Sequence, residues 1–384
     1  MELMPHQARL VDDNPQKAII AWEMRVGKTL PASIWIDRKE QGDNTFVIMP
    51  KQTKKDWVEM KTKATLLTKE EFKKTEIVNP TAIIVDEAHY FASALFARKG
   101  KGRSDLSLAL YNLVKKYPEC HILLLTATPI RQDAWSLHTL LCYIGVYINW
   151  KDWQREFFEK KAEFFLPRQP WMKEGEVPTA WMPKEDWRIN IRKYQDKYCN
   201  IVSLRDIKDD LPPITPVIIE VKHKPYEKPT DRVVTWIDEH LYEQEGKIGE
   251  ILKLGYRKVI VVAHYTKQID DLAKELGKEK PVYILDGRTK DASKTKEEAQ
   301  KADDCYFIVQ SSMGFGFDGW MFGAIIFASQ SHSCLNHTQM SGRLRHLEHL
   351  KPYNMYYLIG GKWDRRIYDT IEKGKDFNPH VYVK

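Results

Sequence analysis

The chain has 384 residues, 43% of them hydrophobic and 29% charged, with a net charge of +7 and a pI near 8.8. That is room for two domains with sizeable cores, and the mild basicity is compatible with a nucleic-acid partner without requiring one. Five scattered cysteines with no C-x-x-C pair exclude a disulfide framework or a zinc knuckle, and no apolar run is long enough to span a bilayer. No basic and apolar leader opens the sequence, so a secretory signal is not expected.

From the N-terminus, an apolar run Ala18–Trp22 leads through Glu23-Met24-Arg25-Val26 to Gly27-Lys28-Thr29. A strand, a tight loop and a helix in this order form a phosphate-binding device. Gly27 admits close approach of the backbone, Lys28 supplies a point charge for the β- and γ-phosphates, and the Thr29 hydroxyl can ligate Mg²⁺. The helix is expected through Leu30 to Arg38, with Pro31 fitting its first turn. The general pattern wants a glycine six residues before the lysine, where this chain has Trp22.

Further apolar runs follow at Thr45–Met49, Ala82–Val85 and Ile122–Leu125. The run Ala82–Val85 leads into Asp86-Glu87-Ala88-His89. Two carboxylates at a strand end suit a Mg²⁺-nucleotide site, Asp86 holding the metal through water and Glu87 orienting the attacking water. The two signals are expected on neighbouring strands of one sheet. A segment rich in Trp, Phe, Lys and Glu runs from Asn149 to Lys228, with no clear strand before Ile214, and reads as mostly helical. Runs at Val259–Ala263, Val282–Leu285, Tyr306–Val309, Ala324–Ala328 and Met355–Ile359 then predict a second sheet. Continuous apolar strands separated by amphipathic segments imply parallel sheets covered on both faces. The fold class is therefore α/β, in three stretches: lobe one at 1–148, an insertion and linker at 149–229, and lobe two at 230–384.

Together these residues resemble the superfamily two helicase-like ATPases, and within them the Swi/Snf-type (DEAH-box) branch, whose P-loop reads Glu-Met-Gly-x-Gly-Lys-Thr. This chain departs from it at Arg25. Other elements match in the family's order: Leu3–Gln7; Thr45–Lys51 with Trp57; Thr126-Ala127-Thr128-Pro129; Leu204–Pro213; Asp286-Gly287-Arg288-Thr289; Gln310–Asp318; and Gln339–Arg343. The resemblance covers residues 3–372 and is closest to minimal phage or bacterial members. It implies two RecA-like domains with ATP and Mg²⁺ in the cleft between them, and a cytoplasmic location in a bacterium or infected host, a nuclear one being compatible.

The resemblance also implies the roles. Gln7 reads the adenine edge. Met24, Arg25, Val26, Gly27, Lys28, Thr29, Gly316 and Asp318 surround the nucleotide; Thr29 and Asp86 hold the metal. Lys28, Asp86, Glu87 and Arg343 carry catalysis. Arg345 is a candidate second arginine, because the family's second position falls here on His346. In a helix that one-residue offset turns a side chain by roughly 100°, and a surface ion pair with Glu348 is the alternative reading. Lys51, Lys54, Lys55, Thr68, Thr126, Asp286, Ser311 and Asn336 meet nucleic acid. DNA, duplex or branched and held by its backbone, is the partner. The implied function is a DNA-stimulated translocase; a strand-separating DNA or RNA helicase and a nucleotide-gated DNA clamp without efficient hydrolysis are the alternatives. Of the other features, Lys61 and Lys63 extend the basic stretch. Trp171, Trp181, Trp187, Tyr194 and Tyr198 read as packing, and His332, His337, His346 and His349 lack metal-type spacing.

Overall fold

The computed structural model describes residues 2–39, 44–95, 104–130, 133–162, 179–208, 211–222, 245–313, 317–346, 351–375 and 377. The chain divides into two compact units, Met1–Asp209 and Asp210–Lys384. Among the described residues no helix is long and apolar enough to cross a membrane.

The first unit is built on strands β1 (Lys17–Trp22), β2 (Thr45–Met49), β3 (Thr65–Thr68), β4 (Ala82–Val85) and β5 (His121–Leu125). A ribbon, β6 (Phe158–Ala162) and β7 (Thr179–Pro183), and strand β8 (Cys199–Val202) follow. Six strands pair in the order β3-β2-β4-β5-β1-β8, every pairing parallel. The expectation that the Gly-Lys-Thr and Asp-Glu strands are neighbours is corrected: β5 lies between β1 and β4. At the usual strand spacing this sets the two strands roughly 9–10 Å apart, and the end of β5 brings Thr126 between them.

The stretch read as a mostly helical insertion is mixed. It holds the helix Trp150–Phe157, the antiparallel ribbon β6-β7 and the helices Trp187–Asn190 and Arg192–Tyr198. It then returns as β8 to pair with β1. Short polar edge segments such as Cys199-Asn200-Ile201-Val202 lack the apolar run that marks a buried strand in a sequence. Trp153 is the anchor: its indole donates to the Ala134 carbonyl at 3.2 Å, and Phe157 and Tyr194 pack on its ring. Trp187 is likewise buried, Trp181 is half exposed, and Trp171 lies outside the described residues.

The second unit comprises β9 (Ile214–Glu220), β10 (Lys258–Ala263), β11 (Val282–Leu285), β12 (Cys305–Gln310), β13 (Ala324–Phe327) and β14 (Tyr353–Ile359). Their order is β11-β12-β10-β13-β14-β9, again all parallel. Side chains alternate between two buried faces with the strand period of two. Ile260, Val262, Phe307, Val309, Ile325 and Phe327 fill one face, and Val259, Val261, Ile308, Ala324 and Ile326 the other. Helices cover both, as an all-parallel sheet requires. A buried ion pair closes one end: Lys247 Nζ donates to Asp364 Oδ2 at 2.6 Å and to the Ala328 carbonyl at 2.7 Å.

Candidate functional site

In open parallel sheets, ligands gather beyond the carboxyl ends of the strands. In the first unit that edge carries the loop after β1, the Pro50 turn after β2, Thr68, Asp86-Glu87 and Thr126. Arg25 and Gly27 both take left-handed backbone conformations, φ 69° and 78°. The loop takes that conformation twice; a glycine adopts it without strain, and at position 25 it is Arg25 that does so. A Cβ on Gly27 would sit 2.5 Å from Gln7 Nε2. Trp22, standing where a glycine was expected, is fully buried as the last residue of β1. Its indole donates to Asn200 Oδ1 at 2.8 Å and its ring meets His6 edge-on.

Lys28 Nζ donates to the carbonyls of Trp22 and Glu23 at 2.9 and 3.1 Å, folding its ammonium back over the loop. Thr29 opens the helix Thr29–Asp37, one residue earlier than expected. Gln7 is buried and clasps the loop, Nε2 donating to the Gly27 carbonyl at 2.9 Å while Oε1 accepts from the Met4 N–H at 2.9 Å. His6 Nε2 lies 3.0 Å from the Val26 carbonyl, so that nitrogen carries its proton. Met24 is half-buried and Val26 buried. From the other side, the Glu23 carboxylate accepts the Leu204 N–H at 2.9 Å. His6 was missed in the sequence; its signal was its place next to Gln7.

Asp86 is buried, its Oδ2 accepting from Trp57 Nε1 at 3.0 Å and its Oδ1 from the Glu87 N–H at 2.9 Å. Burial first, then the Glu87 charge, push the Asp86 carboxyl up to about 6, against the pull of Trp57 and Lys28. Lys28 and Glu87 thus both act electrostatically on Asp86. Glu87 is itself left-handed, φ 49°, with Oε2 3.2 Å from His89 Nδ1. His89 is fully buried, its Nδ1 3.3 Å from Thr126 Oγ1, which accepts the Thr128 N–H at 3.0 Å. Strands β4 and β5 are tied together there.

Among the described residues no group of three or more His, Cys, Asp or Glu is placed to hold a metal ion. One hydroxyl, Thr29, and one buried carboxylate, Asp86, fit Mg²⁺ of the kind that keeps its waters and rests on phosphate oxygens. A cation beside Asp86 also offsets the burial that now raises its pKa.

Of the residues assigned to nucleic acid, Lys51 and Lys55 are exposed, Lys55 with Nζ 3.9 Å from Glu59. Lys54 pairs with Glu71 at 3.2 Å. Thr68 caps the helix Lys69–Phe72, its hydroxyl accepting the Glu71 N–H at 3.2 Å. Thr126 is wholly buried against His89 and offers no surface.

In the second unit, Asp286 is buried and closes its own turn. Arg288 donates to it through Nε at 2.9 Å and to Asp270 through Nη2 at 2.7 Å. Ser311 Oγ lies 2.7 Å from His264 Nδ1. His264 sits in a pocket where burial, then the nearby His332, pulls its pKa down to about 4. Gln310 links the two loops, its Oε1 accepting the Gly287 N–H at 3.2 Å and its Nε2 donating to the His264 carbonyl at 3.3 Å. Asn336 Nδ2 donates to Ser331 Oγ at 3.3 Å. Asp318 precedes the turn Gly319–Met321, and Gly316 lies outside the described residues.

The helix Cys334–Ser341 passes into the short turn Gly342–Leu344, which holds Arg343 with its guanidinium 5.9 Å from the Phe317 ring centre. Gly319 packs against it; a Cβ there would lie 2.8 Å from Arg343 Cβ. Arg345 is extended, φ −82° and ψ 136°, so the helical offset considered for it does not apply. It lines a small cavity with Pro212 and Tyr353, and its other expected partner, Glu348, lies outside the described residues. His346 packs on Trp320, ring centres 4.8 Å apart.

No family model and no curated protein sequence matches the chain. Solved structures do. The S. cerevisiae protein Dbp5 bound to RNA and ADP BeF3 superposes with a TM-score of 0.56 at 10% identity, covering 96% of this chain and 87% of that one. A point variant of it in the same complex gives 0.55, again at 10% identity, covering 96% and 86%. A Sulfolobus solfataricus SWI2/SNF2 ATPase core in complex with dsDNA gives 0.42 at 14% identity, covering 97% and 91%. At such identities what is shared is architecture: the chain has the tandem RecA-like α/β fold of helicase cores.

Proposed function

We propose that this chain is an ATP-hydrolysing motor that moves along duplex DNA and remodels DNA structures or protein–DNA complexes. The observation that carries this reading is the meeting, at one edge of one parallel sheet, of the Gly27-Lys28-Thr29 loop with the Asp86-Glu87 pair, close enough for Lys28 to act on Asp86. Bound Mg²⁺·ATP would supply the phosphoryl group and the Lewis acid. Thr29 through its hydroxyl and Asp86 through water would hold the metal, Lys28 would exchange its carbonyl partners for phosphate oxygens, and Glu87 would take the proton of the attacking water. Arg343 is assigned to neutralise charge on the transferred group.

Exposed lysines after β2 support contacts to the phosphate backbone, which carry little sequence preference and weaken with salt. Glu87→Gln tests the enzymatic part. It is expected to keep nucleotide binding and lose turnover by about 10²–10⁴-fold; a wild-type rate no faster than the mutant's supports a nucleotide-gated clamp instead. The RNA bound to Dbp5 favours a second reading, an RNA-dependent strand separator. A strand-displacement assay with DNA and RNA duplexes separates the two.

A further inference from the structure

We propose that Trp57 is a positioning residue that transmits nucleic-acid contact to the metal-holding carboxylate Asp86. The inference rests on the nucleotide-site reading above. Trp57 lies on the helix Lys54–Glu59, which follows the Pro50 turn at the end of β2 and is the element that carries Lys54 and Lys55. Of the six residues in that helix, Trp57 alone is buried, and it is buried completely. Lys54 adds a more exposed ion pair to Glu71, but Trp57 is the one side chain that the helix buries in the unit. That side chain ends in a single donor, an indole N–H with no acceptor function, and the donor is spent on Asp86 Oδ2 at 3.0 Å.

Thr53, one residue before the helix, faces the same carboxylate while its hydroxyl also reaches the Pro50 carbonyl at 3.2 Å. Asp86 Oδ1 is fixed by the Glu87 N–H. The carboxylate thus has one oxygen tied to the catalytic Glu87 and the other tied to the lysine-bearing helix. A polyanion drawn to Lys51 and Lys55 pulls on a helix that has one buried anchor, and that anchor's polar end is the Asp86 contact. A shift of a few tenths of an ångström there lengthens or shortens the hydrogen bond and turns the carboxylate. A purely packing role for Trp57 needs no N–H; a coupling role does.

Trp57→Phe keeps most of the packing volume and removes the donor. Its Mg²⁺ half-saturation for ATP turnover is expected to rise about tenfold, the loss of one hydrogen bond to a charged group. The stimulation of turnover by a short blunt duplex DNA should collapse, while DNA affinity measured without nucleotide stays the same. Unchanged Mg²⁺ dependence and unchanged stimulation in a folded Trp57→Phe protein would overturn the proposal and leave Trp57 as packing. A second readout needs no variant to fold: the Nε1–H resonance of Trp57 in the full chain, assigned by through-space contacts. DNA binding, followed separately by anisotropy, should move this resonance in the absence of metal and nucleotide. A resonance that stays put while DNA binds overturns the coupling. Absence of ATP turnover in the unaltered protein overturns the motor reading instead, and the resonance still decides whether the helix reports to Asp86.

Discussion

Gly27 carries two constraints at once, a left-handed backbone and a Gln7 amide where a Cβ would stand. Gly27→Ala should therefore cost about 1–2 kcal/mol from backbone conformation, with the clash added. Gln7→Ala removes the clasp's own hydrogen bonds but also the group a new methyl would meet, so in a double-mutant cycle followed by thermal melts the two losses should be less than additive. His337 makes a pH prediction. Its Nε2 is 2.7 Å from the Tyr357 hydroxyl, and burial pulls its pKa down to about 4 from 6.5. A depressed folded-state pKa means that its contribution is complete above pH 6.5 and is lost as pH falls toward 4. The loss amounts to about 3 kcal/mol at most. His337→Gln, which cannot protonate, should lose correspondingly less stability between pH 6.5 and 4 in denaturant titrations. Gly27, Lys28, Asp86 and Glu87 were legible as single residues because phosphate and metal chemistry restricts which side chains serve. The Gly27 carbonyl that Gln7 meets and the His89 ring that Thr126 meets were not, since contacts across 20 and 37 residues leave no mark in local sequence.

Strands with four or more consecutive apolar residues, such as β2, β4, β5, β10 and β13, stood out in the sequence because burial on both faces demands them. β3 and β8 did not: Thr65-Leu66-Leu67-Thr68 and Cys199-Asn200-Ile201-Val202 are short edge strands with polar positions. Strand order was also illegible, because pairing is a long-range choice, and so β5 between β1 and β4 had to be seen. β8 has a consequence for the loop after β1. Through Asn200 on Trp22 and the Leu204 N–H on Glu23, the last elements of the first unit grip the end of β1 where the loop leaves it. Asn200→Ala should leave the Trp22 indole without its partner and cost about 1–3 kcal/mol of stability, measurable by chemical denaturation. In the second unit, the Lys247–Asp364 pair joins the helices Glu245–Lys253 and Lys362–Glu372 to the end of β13. Lys247→Met strands a buried carboxylate and should cost about 3–5 kcal/mol. Adding Asp364→Leu should recover much of that, a non-additivity that a double-mutant cycle reads directly.

At the scale of the whole molecule, two parallel sheets each gather their functional residues beyond one edge. The first edge holds chemistry suited to Mg²⁺·ATP; beside it lies a lysine-bearing helix whose one buried side chain, Trp57, donates to Asp86. On the function proposed for the chain, that arrangement would make ATP turnover and nucleic-acid contact interdependent, as a motor requires. The measurement that bears most directly on it is steady-state ATP turnover with no nucleic acid, single-stranded DNA, duplex DNA, forked DNA and RNA, each at low and moderate salt. The account predicts slow basal turnover, clear stimulation by duplex or forked DNA, and loss of that stimulation as salt rises. Turnover that is absent under every condition, or that no DNA accelerates, would contradict it.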